Sequence, residues 1–350
     1  MAACLVTGGA GFIGTALSSH LADRFDDVIA LDNLHPQVHV DGTRPAALDS
    51  RVRLVVGDVT SAGTWDALLA TVKPDVVVHL AAETGTAQSL TAATRHAQVN
   101  VVGTTQMLDA LVRHDALPKA IVLTSSRAVY GEGAWSGADG AVVYPGQRSR
   151  EQLERGQWAF GELQPLPQRS AKVEPRPTSI YGATKLAQEH VLTSWCLAMR
   201  VTPIVLRLQN VYGPGQSLSN PYTGIVPLFA QVARDGGSIP VFEDGGIIRD
   251  FVYIDDVAAA IVAALDVGRP TITPYDVGSG SATSILELAR IVAKIYGAPD
   301  PTVVGRFRDG DVRFASAAID DTVAELGWRP TVATEEGVAR LCAWIDSTAR

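Results

Sequence analysis

Residues 1–14, Met1-Ala-Ala-Cys-Leu-Val-Thr-Gly-Gly-Ala-Gly-Phe-Ile-Gly14, begin as a short apolar strand and turn at once into Gly8, Gly11 and Gly14, three glycines at three-residue spacing. Gly8 permits a tight turn, Gly11 lets backbone N–H groups approach a pyrophosphate, and Gly14 lets the following helix pack closely on the strand. The helix N-terminus then faces the phosphates, where free N–H groups and partial positive charge favour an anion. A glycine triplet alone is weak evidence, so its surroundings decide. A second apolar run, 28–31, ends in Asp32, eighteen residues after Gly14, where a carboxylate accepts hydrogen bonds from both ribose hydroxyls of an adenosine. The same carboxylate repels a 2′-phosphate, which favours NAD over NADP.

Outward from this motif, strand-like runs at 4–7, 28–31, 52–56, 76–80, 121–124 and 204–208 alternate with helical stretches. That alternation predicts an α/β fold, a doubly wound parallel sheet of the Rossmann kind. Asp58 closes the third run in Gly-Asp-Val, where an acid either stabilises a turn or bonds an adenine amino group. Leu80, Ala81 and Ala82 end the fourth with small residues that leave room for a cofactor at the carboxyl edge of the sheet. The stretch 132–178 is rich in Gly, Pro, Gln and Arg and reads as a long inserted loop with one short helix near 150–155. Beyond 211, glycine and proline turns mix with short helices such as 284–295. This predicts a nucleotide-binding domain over 1–210, to which part of 251–270 returns, and a smaller, discontinuous substrate lobe over 211–350.

The 350 residues are 47% hydrophobic with a net charge of −8, which fits a compact globular protein and argues against a nucleic-acid partner. A negatively charged ligand must then be held by local arginines. Cys4, Cys196 and Cys342 form no paired spacing, so neither a disulfide framework nor a metal site is expected, and the cytoplasm is the default compartment. No apolar run approaches the roughly 18 residues of a membrane helix.

Tyr181-Gly-Ala-Thr-Lys185 places a phenol and an ammonium four residues apart, on one face of a helix. A cation held beside a phenol stabilises the phenolate and lowers its pKa toward the range of a useful base. Ser125-Ser126, ending an earlier strand, supplies hydroxyls nearby.

Together TGGAGFIG, Asp32, GDV, HLAAETG, TSSRAVYG, YGATK, LRLQNVYGPG and RDFVYIDDV resemble the extended short-chain dehydrogenase/reductase family of nucleotide-sugar enzymes over nearly the whole chain. The resemblance implies Tyr181 as base, Lys185 as its pKa-lowering partner on the NAD ribose, and Ser126 as the hydroxyl on the sugar oxygen being oxidised. It also implies cofactor contacts from Phe12, Ile13, Asn33 and Val59, from Asn100 on a helix lining the site, and from Val211. On the substrate side it implies Glu83, Asn210 and Tyr212, with Arg249, Arg308 and Asp311 around a pyrophosphate; Arg313 rivals Arg308, and Phe242 packs either on a nucleotide base or in the core. A guanidinium fork suits phosphate oxygens. Ala315 suggests a roomy sugar pocket.

Two departures sharpen the reading. Dehydratases of the family carry Asp-Glu after the serine to expel water, and here Arg127-Ala128 cannot move those protons. The strings 216–226 and Val241-Phe-Glu-Asp-Gly245 resemble the subgroup of dTDP-6-deoxyhexose 4-epimerases, whose insert often holds two Cys-Pro-x-Cys pairs; here the insert lacks cysteine. The expectation is an NAD-dependent nucleotide-sugar 4-epimerase acting as a homodimer. Tyr181 takes the C4 hydroxyl proton as hydride leaves for NAD, and hydride returns to the other face of the 4-keto sugar. A 4-ketoreductase, a 4,6-dehydratase and a non-catalytic NAD-binding regulator are the rivals.

Overall fold

The computed structural model describes residues 2–218, 224–270 and 272–348. Part of the 216–226 string, 219–223, therefore lies outside the described residues. Seven parallel strands form the central sheet: β1 (Ala3–Thr7), β2 (Asp27–Asp32), β3 (Arg53–Val56), β4 (Val76–His79), β5 (Ala120–Ser126), β6 (Thr202–Leu208) and β7 (Tyr275–Val277). Their order is β3-β2-β1-β4-β5-β6-β7, with the direction of winding reversing between β1 and β4. Ligands of open α/β sheets bind beyond the carboxyl ends of the strands at such a reversal. Register sets the edges level, since Thr7 lies opposite both Leu31 and His79.

The inner strands β1, β2 and β4 read as apolar runs because both of their faces are covered. On one face Leu5, Ile29 and Ile121 pack with Trp65, Met107 and Leu192, drawn from helices α2 (Ala62–Leu69), α3 (Gly103–Arg113) and α4 (Ile180–Met199). On the other, Cys4, Val6, Val28 and Val122 meet Leu17 and Leu21 of α1 (Phe12–Ala22), and Val257 and Ile261 of a helix over Ile254–Ala264. All three cysteines are buried and free.

A second apolar cluster gathers α5 (Ile225–Arg234), α7 (Ile285–Tyr296) and α8 (Thr334–Thr348), the Ile254–Ala264 helix being α6. Short strands brace it: Asn210–Tyr212 beside Phe251–Tyr253, and Ile248–Arg249 between Thr283–Ser284 and Phe314–Ala315. Two expectations need correction. β7 lies in the range read as substrate lobe yet completes the central sheet beside β6, a three-residue strand being too short to show a period. The 132–178 insert does hold a helix at Arg150–Glu154, but it also folds into an antiparallel sheet of Trp135–Ser136, Val142–Val143 and Gln164–Pro165.

Candidate active site

The turn from β1 into α1 is shaped by its glycines. Gly8 has φ +65°, and a Cβ there would stand 2.8 Å from the backbone nitrogen of Ala81. A Cβ on Gly14 would stand 2.5 Å from the Gly9 carbonyl oxygen, so α1 packs directly on the loop it leaves. Gly8 N–H donates to Leu31 at 2.8 Å, tying the loop to β2. At the end of β2 the Asp32 carboxylate is 9% exposed and accepts from Ala10 N–H at 3.1 Å and Leu34 N–H at 2.9 Å.

Gly8, Leu31 and Asp32 open onto a cavity of about 330 Å³, to which Gly11, Asn33, Asp58, Val59, Leu80, Ala81 and Ala82 also contribute. Burial, which alone raises the Asp58 carboxyl, is outweighed by bonds from Thr60 and Asn33, and the group is held below the usual carboxylate range. A cradle that admits no Cβ at Gly8, the N-terminus of α1 and a fixed carboxylate at β2 together fit a dinucleotide.

Glu83, expected on the substrate side, lines this same cavity and accepts from Arg95 at 2.6 Å. His35, Gln37, His39 and Gln88 border it as well. They sit on loop and short-helix segments with no period, so no sequence pattern singled them out. Phe12, Ile13, Gly14, Asn100 and Val211 do not line it. Phe12, Ile13 and Val211 pack toward the lobe's apolar cluster. Asn100 is buried in a π-helical turn, Gln98–Val102, its amide bridging the Glu83 backbone at 2.8 and 3.1 Å and the Thr184 hydroxyl at 3.0 Å.

Beyond the cavity, β5 ends at Ser126 and turns into a 3₁₀ segment, Arg127–Tyr130, while Ser179 caps α4 by accepting from Gly182 N–H at 3.0 Å. A Cβ on Gly182 would lie 2.4 Å from the Ala128 carbonyl oxygen. The first turn of α4 is therefore pressed against that segment, which brings Tyr181 beside the turn that Ser126 opens, and the Ser126 hydroxyl accepts from Ala128 N–H at 3.2 Å. Burial raises Tyr181 above the usual phenol value, with Ser126 and Arg127 pulling it back.

The Lys185 ammonium is bonded instead to the Gln188 amide oxygen, and burial lowers it to about 7. Gln188 continues a buried chain, donating to Thr104 at 2.8 Å, which meets His79 at 3.0 Å, which meets Thr7 at 2.6 Å. Burial, with the charge of Lys185, drives His79 down to about 3, so it stays neutral. The chain ties Lys185 to the glycine loop, and only the fold joins its members.

Across the turn, Arg127 Nε donates to Asn210 Oδ1 at 2.7 Å, and buried Arg249 donates to Asp311 at 2.8 Å. The Arg308 guanidinium lies 5.1 Å from the centre of the Phe242 ring. Its rival Arg313 is held by Glu243 and Asp244 at 3.0 and 2.7 Å. Tyr212 turns away, buried in the lobe with its hydroxyl on the Thr334 carbonyl at 3.2 Å. Ala315 is fully buried as the register partner of Arg249. The insert reaches this region through Arg148, itself buried, which donates to Glu243 at 2.7 Å and to the Asp311 carbonyl at 2.7 Å, with Glu132 at 3.5 Å. Burial raises Glu132 to about 7.

With this geometry in place, residues 4–148 and 157–278 match the model of the NAD dependent epimerase/dehydratase family. The chain belongs to that family. The family places this chain among enzymes that use NAD, the cofactor its groove fits. It is 59% identical to dTDP-L-rhamnose 4-epimerase of Burkholderia thailandensis, with 97% of this chain and 94% of that protein covered. Among solved structures it resembles the UDP-glucose 4-epimerase of Thermotoga maritima with UDP-glucose (TM-score 0.82, 25% identity, 99% and 100% covered). It also resembles the Thermus thermophilus UDP-glucose 4-epimerase in complex with NAD (TM-score 0.77, 28% identity, 98% and 99% covered). Among the described residues no helix is long and apolar enough to cross a membrane.

Proposed function

We propose that a dTDP-6-deoxyhexose of the L-rhamnose kind is the substrate of this NAD-dependent nucleotide-sugar 4-epimerase. The observation that carries the chemistry is the Ser126–Tyr181 pair at the end of β5, followed by Arg127 and Ala128 and no acid. The substrate assignment is supported by the 59% identity to the B. thailandensis enzyme.

Ser126 holds the oxygen on C4, and Tyr181 takes that hydroxyl's proton and later gives one back to the same oxygen. NAD, when bound, supplies the acceptor and donor of the C4 hydrogen. Gly8, Gly11, Asp32 and Asp58 would hold the cofactor, and Lys185, fixed by the Gln188 chain, keeps the helix face bearing Tyr181 in place. Arg249 and Arg308 retain the diphosphate while the oxidised hexose turns to present its other face. Without an acid at 127 or 128, loss of water has no proton donor. A homodimer in the cytoplasm belongs to the same proposal; exposed Val102, Val112 and Leu197 on neighbouring helices and three reduced, buried cysteines support it.

The test is to incubate the protein with dTDP-L-rhamnose, UDP-glucose and related nucleotide sugars and resolve the products by NMR. Inversion at C4 of the dTDP-deoxyhexose without added NAD(P)H is expected. A reaction that proceeds only with consumption of added NAD(P)H would replace this reading with a ketoreductase.

A further inference from the structure

The dinucleotide cavity is bordered by two segments that the sheet order keeps apart. The loop over 33–42 leaves β2 and the stretch over 83–97 follows β4, with β1 and its glycine turn between them. Any bond that joins the two segments therefore spans the end of β1, where the glycine turn lies. Two such links are formed. Gln37 and Gln88 pair amide to amide, Gln37 Nε2 donating to Gln88 Oε1 at 3.1 Å and Gln88 Nε2 returning a bond to Gln37 Oε1 at 3.2 Å. Arg95 makes the second, lying 3.0 Å from His35 Nε2 on one side and donating to Glu83 Oε1 at 2.6 Å on the other. All five residues line the cavity.

Both ends of the links are braced. Leu34 holds φ +47°, a left-handed conformation that a leucine adopts only at a cost. The Asp32 carboxylate keeps it there by accepting from Leu34 N–H at 2.9 Å, and Asp58 accepts from the Asn33 amide at 3.1 Å. The chain turns back on itself, since His39 comes within 3.7 Å of the same Asp32 carboxylate. His35 Nδ1 accepts from Gln37 N–H at 3.2 Å, so the two links share one turn. On the far side the Asn100 amide pins the Glu83 backbone at 2.8 and 3.1 Å.

We propose that the Gln37–Gln88 pair and the His35–Arg95–Glu83 chain form a clasp that retains NAD, so that the cofactor enters and leaves its groove only when the loop after β2 parts from the segment after β4. The glycine turn and Asp32 would hold the dinucleotide itself; the clasp delays its departure through bonds that protein groups make with one another. Parting exchanges each link for hydrogen bonds to water, so the net worth of one link is modest and its loss is expected to quicken release by about tenfold. The proposal concerns the cofactor alone and does not depend on which sugar is turned over.

The experiment loads the protein with radiolabelled NAD, chases with excess unlabelled NAD and follows the label that stays on the protein through rapid gel filtration. Gln88→Ala and Arg95→Met are each expected to speed release by about tenfold, and together by about a hundredfold. Gln37→Ala, Gln88→Ala and the two combined should release at one common rate, because either substitution breaks the same link. Release within twofold of wild type in Gln88→Ala combined with Arg95→Met overturns the proposal. So does multiplicative acceleration by Gln37→Ala and Gln88→Ala, which would mean that each glutamine holds the cofactor by a contact of its own. Should Arg95→Met fail to fold, the double variant Gln37→Cys with Gln88→Cys decides. Bridging its two new thiols with a short bis-maleimide is expected to slow release at least about tenfold against the same protein unbridged, and an unchanged rate overturns the proposal. Cys4, Cys196 and Cys342 are buried and do not compete for the reagent.

Discussion

Asp32→Ala should erase most of the preference for NAD over NADP. The carboxylate is held by the N–H groups of Ala10 and Leu34 at 3.1 and 2.9 Å, so it cannot swing away from an incoming 2′-phosphate. At about 5 Å and an effective dielectric of about 20, each unit of phosphate charge meets about 3 kcal/mol of repulsion. Basic side chains near the carboxylate offset part of this. His39 lies 3.7 Å from the carboxylate, whereas Arg95 is already engaged by Glu83 at 2.6 Å and by His35 at 3.0 Å. Halving the repulsion for that compensation and for salt leaves about 1.5 kcal/mol, about tenfold in affinity. NAD is therefore expected to bind at least tenfold tighter than NADP to the wild type. The alanine variant also strands two N–H donors, each costing about 1–3 kcal/mol if left without water, so both affinities fall but NAD loses more. Calorimetry on protein stripped of cofactor measures all four constants. Equal affinities in the wild type, or an undiminished gap in Asp32→Ala, would refute the reasoning and move discrimination to the His35–Arg95 side of the cavity.

Tyr181→Phe keeps the ring and loses the proton acceptor, so kcat should fall about 10²- to 10⁴-fold with NAD binding nearly intact; activity within threefold of wild type would exclude Tyr181 as the base. A substrate deuterated at C4 should yield an epimer that keeps the label at C4 by NMR, and label at C6 would show elimination instead. Gly182→Ala drives a methyl into the Ala128 carbonyl at 2.4 Å, so it should lower kcat while leaving NAD affinity in place, and unchanged kcat would mean that the close seat does not position Tyr181. Arg148→Met leaves buried Glu132 without its cation and Glu243 with Arg313 alone, and a loss of about 3 kcal/mol is expected in urea unfolding; a change below about 1 kcal/mol would show that the insert is held by its apolar contacts alone.

How much of the site was legible follows from how local each signal is. Ser126 and Tyr181 were legible because strand end and helix start each carry a short motif, but their mutual distance depends on Gly182 seating on Ala128, a contact between segments more than fifty residues apart. That Glu83 lines the groove cavity beside Arg95 was not legible, because sequence shows that it follows β4 without showing which way the chain turns there.

What the sequence determined alone was the sheet, its NAD groove and the family. Six of the seven strands stand out as short apolar runs, and the glycine turn is dictated by φ at Gly8, so both signals are carried by the residues themselves. What only the tertiary structure decided was the electrostatics around the phenol. Spacing puts Lys185 one helical turn from Tyr181, yet where an ammonium goes depends on its acceptors, and Gln188, backed by Thr104, His79 and Thr7 from three other segments, takes it. Arg127, which the sequence offered only as a missing acid, is fixed by Asn210 at 2.7 Å, a partner more than eighty residues away that the chain brings beside it only on folding.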